Sequence, residues 1–123
     1  MTPEGFALAF ERAPEPRGEA RDVRLQFWDP LPDVPFCVRY QLFDFAMEAD
    51  APVAIRALQR ALGVPDDGVW GEQSQAAFTS YTVEQVVPLL IAQRAEWMSR
   101  NRSSVESLRR IAVVLRYAAE DIA

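Results

Sequence analysis

The sequence predicts an all-α protein, a single helical domain of about six helices, and three observations carry that reading. Near the C-terminus Val105, Leu108, Ile111, Ala112, Leu115, Ala118 and Ile122 recur at helical spacing. Two Ser/Thr-x-x-Glu/Gln pairs, Thr82 with Gln85 and Ser103 with Glu106, have the form of capping boxes that open helices. No run alternates apolar and polar residues with the period of two that a half-buried strand needs. At 123 residues the chain has room for one hydrophobic core rather than two.

The elements follow in order. Residues 3–12 predict a short helix with Phe6, Leu8 and Phe10 apolar, and Ala13 to Gly18 break it, because Pro14, Pro16 and Gly18 cannot continue it. From Glu19 onward Val23, Phe27 and Trp28 fit one helical face, and Pro30, Pro32 and Pro35 then force an extended connection. Residues 36–48 are apolar on several sides, the pattern of a central buried helix. Asp50 is placed to cap the next helix, Pro52 sits in its first turn, Ile55, Leu58, Ala61 and Leu62 form its buried stripe, and Gly63 ends it. Asp66-Asp67-Gly68 makes a turn, and a shorter helix follows Gly71. The helix after Thr82 carries Val83, Val86, Val87, Leu90 and Trp97, with Pro88 expected to bend it. The organisation is one domain over 1–123: an N-terminal helix and Pro-rich break over 1–18, a middle region over 19–100, and a C-terminal helix over 103–123.

Composition excludes several functions. The formal net charge is −5, which makes a phosphate backbone a poor partner, so no nucleic-acid role is expected. His is absent, which removes Ser-His-Asp chemistry and His-based zinc sites. No metal and no cofactor is implied. The acidic turn lacks the alternating oxygen ligands of a calcium loop. Cys37 is alone and lies in an apolar stretch, so it reads as a small buried hydrophobe. The apolar run from Val86 to Ala92 is too short to span a bilayer, which takes about 20 residues, so no membrane span is expected. The N-terminus lacks the basic start and apolar stretch of a secretory signal. The expected localisation is cytoplasmic synthesis, with release to periplasm or cell wall by a holin, by lysis or by a dedicated secretion machine. The basic residues are all Arg, and Arg94, Arg100, Arg102, Arg109, Arg110 and Arg116 give the last helices a basic flavour. A solvated face is the simplest account, and a docking surface for an acidic partner or anionic wall polymers is the other.

The densest motif is Leu58-Gln59 to Gly71, a helix, a helix stop, an acidic turn with Gly68 and Gly71, and Trp70 beside it. It resembles the repeat of peptidoglycan-binding modules. Together with Glu19-Ala20, Phe27-Trp28, Leu31-Pro32 and Phe43-Asp44 in that order, it resembles the second half of the lysozyme-like muramidases of glycoside hydrolase family 108, the phage-endolysin and secretion-activator type. The resemblance covers about residues 19–100 and implies a lysozyme-like helical fold and a peptidoglycan ligand. It places Trp28, Asp44, Glu48 and Trp70 along a substrate-binding cleft, with Asp67, Gly68 and Gly71 as the turn motif. Against that, each has a structural reading: Trp70 pins one helix on the next, Asp67 bonds its own downstream amides, and Asp44 makes a hydrogen bond to neighbouring backbone.

The family's first half carries a Glu-Gly-Gly segment whose Glu is the expected general acid. Here only Glu4-Gly5 is present, followed by Phe6, and no Asp- and Gly-rich loop follows. After Phe43-Asp44-Phe45-Ala46 the family's Val-Asn is replaced by Met47-Glu48, and the nearby glycine is gone. Departures at two cleft positions predict a non-catalytic, muramidase-derived peptidoglycan-binding protein linked to phage lysis or protein secretion. Two other readings remain open. One is a minimal active muramidase whose acid is Glu4, Glu11 or Glu48 with Asp44 as its partner. The other is a protein-interaction component of a secretion or toxin system. The expected partner is peptidoglycan or a cell-wall-handling protein, and a shortened domain could cover its open cleft as a homodimer.

Overall fold

The computed structural model describes residues 3–101 and 104–123, with side chains from Gly5 onward. Seven helices and no strand occur among the described residues. They are α1 (Pro3–Arg12), α2 (Ala20–Val23), α3 (Phe36–Glu48), α4 (Ala51–Leu62), α5 (Glu72–Thr79), α6 (Val83–Arg100) and α7 (Val105–Ile122). α2 runs on as one π-helical turn, Arg24–Trp28, and that wider turn swings the Trp28 indole into the interior.

α3 is the axis of the molecule. Every residue from Cys37 to Ala46 is buried, and α1, α4, α6 and α7 pack around it. This is what a helix apolar on several sides requires. Phe6, Trp28 and Phe43 meet edge to face, with ring centroids 5.6–5.9 Å apart, and Phe45 meets Trp97 in the same way at 5.4 Å. Burying each such side chain stabilises the fold by roughly 1.5–3 kcal/mol.

The helix ends follow from named residues. Asp50 Oδ1 accepts from the Val53 N–H at 2.8 Å, Pro52 occupies the first turn of α4, and Gly63 closes the helix at φ 75°. Thr82 and Gln85 form the reciprocal box expected of them. α6 runs unbroken from Val83 to Arg100 with Pro88 inside it, so the Glu84 carbonyl lacks its usual donor four residues on. At α7 the cap is Ser104, whose Oγ accepts from the Ser107 N–H at 3.1 Å, one residue later than the expected Ser103–Glu106 box. Ser103 itself lies outside the described residues.

α7 departs from its predicted orientation. Val114 and Ala118 are buried and Ile111 is half-buried against the core, but Val105, Leu108 and Leu115 are exposed. Polar anchors fix the helix at that angle. Arg12 grips Asp121 with two bonds of 2.9 Å, its guanidinium lies over the Tyr117 ring at 4.0 Å, and Gln41 Nε2 donates to the Val114 carbonyl at 2.9 Å. No helix among the described residues is long and apolar enough to cross a membrane.

Candidate functional site

Asp44 and Glu48 stand one turn apart on the last part of α3, so both carboxylates project from the same side of the helix. That side opens into a cleft of about 270 Å³. α6 contributes Arg94, α7 contributes Glu106 and Arg110, and the Pro14–Pro16 connection forms the opposite rim.

The floor of the cleft is a closed charge network. Arg94 Nη1 donates to Asp44 Oδ2 at 2.9 Å, while its Nε and Nη2 donate to Glu48 Oε1 at 3.1 and 2.9 Å. Arg110 Nε and Nη2 donate to Asp44 Oδ1 at 3.0 and 2.6 Å, and Nη2 also reaches the Arg12 carbonyl at 2.8 Å and the Tyr40 hydroxyl at 3.2 Å. Burial works against the Arg110 charge, but hydrogen bonding and attraction to Asp44 outweigh it and hold its pKa above the ordinary value. Burial also pushes the Tyr40 phenol well up, with the Asp44 charge adding to it. Asp44 and Arg94 are each about 97% or more buried, so removing either unbalances a buried network, although Arg110 still holds Asp44 and Glu48 still holds Arg94, and up to about 3–5 kcal/mol is lost.

Both Asp44 oxygens are occupied as acceptors, which corrects the reading of Asp44 as a group bonded only to nearby backbone. Neither oxygen is available to give a proton to a leaving group. Glu48 is different: Oε1 is taken by Arg94, while Oε2 has no hydrogen-bond partner among the described residues. Glu11 is exposed on α1 and does not line the cleft, and the Glu4 side chain lies outside the described residues.

The two tryptophans do not join this cleft. Trp28 is 2% exposed, with Phe6, Phe36 and Phe43 around it and the Arg39 guanidinium 4.4 Å over its ring. It is a core residue, not a surface for ligand. Trp70 sits half-buried at the start of α5, edge-on to Phe78, and its indole N–H donates to Gln75 Oε1 at 3.0 Å. None of the residues lining the cleft is aromatic, so no ring face is offered there to a sugar.

The acidic turn is organised by Gln59, which is fully buried on α4. Its Nε2 lies 3.1 Å from Asp67 Oδ1, 2.9 Å from the Val69 carbonyl and 3.1 Å from Ser74 Oγ, and its Oε1 accepts from the Gly68 N–H at 2.9 Å. Asp67 Oδ1 also accepts from the Val69 N–H at 2.9 Å, and these two bonds, the backbone one first, hold its carboxyl below the ordinary range. Gly68 has φ 81°, which favours glycine, and a Cβ there would meet the Arg56 side chain at 3.5 Å. Gly71 adopts φ −110° with open space around it, so the expected need for glycine holds at Gly68 and not at Gly71. The turn presents Val69, which is 68% exposed, beside Trp70.

Sequence reasoning missed that Arg94 and Arg110 point inward, and that Gln59 is the template of the turn. A Gln at a position of the α4 stripe where a hydrophobe is expected was the available signal for Gln59.

A buried central helix, surrounded by α1, α4, α6 and α7 and topped by this charged cleft, defines an all-helical, SagA-like fold. The chain is similar to the solved structure of SagA from Brucella abortus, with a TM-score of 0.70 and 23% sequence identity. The likeness covers 83% of this chain and 62% of that one, so this chain spans less than two thirds of the other. No protein-family model and no curated protein matches the sequence.

Proposed function

We propose that the protein is a non-catalytic, muramidase-derived peptidoglycan-binding protein that works in phage lysis or protein secretion. One observation carries the non-catalytic part. Arg94 and Arg110 occupy both oxygens of Asp44 and one of Glu48. A glycoside hydrolase needs one carboxyl to protonate the leaving oxygen and a second to assist at the sugar. Arginine closes Asp44 to the second role, because both of its oxygens are taken, and leaves Glu15 and Glu106 on the cleft walls as the other carboxyls that a working site would have to recruit. The peptidoglycan part rests on the Leu58–Gly71 motif, whose turn is held by Gln59 and presents Val69 outward beside a half-buried Trp70. The lysis or secretion setting rests on the family resemblance, with the SagA-like fold in keeping with it.

A minimal muramidase is the second reading, and the unpaired Glu48 Oε2 favours it. A pull-down on purified sacculi, with released muropeptides read by mass spectrometry from the same tube, separates the two. The expected result is binding without release, weakened severalfold by Trp70→Ala. Release that disappears in Glu48→Gln would establish the enzyme instead. Absence of both binding and release would reject both glycan readings in favour of a protein-interaction role.

A further inference from the structure

α7 carries more apolar surface than the body of the protein covers. Its inner side holds Val114 and Ala118 in the core, and the polar grips of Arg12 and Gln41 fix its rotation. The remaining apolar residues form a second stripe that faces outward. Val105 is 60%, Leu108 63% and Leu115 47% exposed, and Ala112 and Ala119 between them are exposed as well. The steps along Val105, Leu108, Ala112, Leu115 and Ala119 alternate three and four residues, the spacing that keeps a seam facing a partner helix.

We infer that this stripe binds a second copy of the chain, α7 against α7, antiparallel about a two-fold axis. The stripe is complementary to itself in that arrangement. With the axis between Val113 and Val114, Leu108 of one copy lies opposite Ala119 of the other, and Leu115 lies opposite Ala112. Leu108 and Leu115 of each copy therefore each meet an alanine of the other, reciprocally as in an isologous contact, while Val105 lies opposite Ile122 at the ends of the seam. The charges along one edge agree. Side chains on a helix lean toward its N-terminus. Exposed Arg109 therefore leans along its own helix to a level opposite Glu120 of the other copy, and Glu120 leans back toward it. The same lean keeps Arg109 apart from Arg116 of the other copy. Glu120 is free to answer, since its side chain is 69% exposed and its contact with Arg12 is long, at 3.9 Å. The edge carries both signs, Glu120 with Arg109 and Arg116, so a copy of the same helix can pair with it.

The test is sedimentation velocity on the full chain over a concentration series, with circular dichroism as the folding control. A reversible monomer–dimer equilibrium is expected. Leu108→Glu with Leu115→Glu should weaken it at least about tenfold while leaving helicity intact, because both side chains already face water in the single copy. Arg109→Glu alone and Glu120→Arg alone should each weaken it about threefold to tenfold, and the two together in one chain should restore it. A wild-type protein that stays monomeric throughout the series overturns the inference. So does a dimer unaffected by the two leucine substitutions. Failure of the double charge swap to restore what the singles lose overturns the antiparallel register.

Discussion

Gln59 fixes the acidic turn from the interior, with one amide serving three acceptors and one backbone donor. Replacing it by Ala leaves the Gly68 N–H and the Val69 carbonyl without a buried partner, at a cost of about 1–3 kcal/mol. Urea unfolding of Gln59→Ala measures the loss, and hydrogen exchange at Val69 locates it. Asp67 adds a dependence on pH. Its carboxyl is held below its unfolded value by the Val69 N–H and Gln59. The support it gives is therefore present above the unfolded pKa of about 3.9 and is lost as pH falls through the lower folded value. Asp66 acts in the same direction through Arg60. Protection of the Val69 amide should hold at pH 5 and fall away in acid, and Asp67→Asn should abolish that change. Protection that persists unchanged in strong acid would show that the backbone alone sets the turn.

Among the elements, α3, α6 and α7 meet through Asp44, Glu48, Arg94 and Arg110 more than through any apolar pair in the cleft. Arg94→Ala removes one of the three hydrogen bonds to buried Asp44 and both of those to Glu48 Oε1, and a loss of up to about 3–5 kcal/mol is expected in equilibrium unfolding. Arg94→Met together with Asp44→Leu removes the most buried pair, keeps apolar volume and leaves Glu48 and Arg110, which are nearer water, to be hydrated, so it should recover part of that loss. Equal losses in the single and the paired variant would mean that shape rather than charge balance fixes the cleft. Arg12 and Asp121 play the corresponding part between α1 and α7, where two bonds of 2.9 Å set the angle of the last helix. That grip explains why α7 does not turn its full apolar arc inward. The arc is wider than the body, and the polar contacts choose which part is buried.

For the whole molecule, the predictions made on sacculi and in the centrifuge concern different faces. The turn carrying Trp70 lies between α4 and α5, whereas the outward stripe lies on α7. Trp70→Ala should therefore weaken sacculus binding without changing the monomer–dimer equilibrium, while Leu108→Glu with Leu115→Glu should do the reverse. If either change moved both readouts together, the two surfaces would not be independent. Much of this architecture was legible beforehand. The all-helical class, the buried α3, the Asp50 and Thr82 caps and the Gly63 stop are local signals, set by side chains within a few residues of the backbone they bond. The candidate site was legible only in part. Asp44 and Glu48 line one cleft, but Trp28 turned into the core through a π-turn that no periodicity announces.

The sequence by itself determined where helices start and stop, which helix is central, and that a rigid glycine turn follows α4. Those outcomes depend on hydrogen bonds and apolar spacing over one or two turns of chain. Only the tertiary structure decided what the cleft can do. Arg94 and Arg110 lie 50 and 66 residues from Asp44 along the chain, and nothing local tells an inward arginine from a solvated one. The packing of α6 and α7 on α3 brought those charges together, because a buried carboxylate must find its counter-charge wherever the fold supplies one.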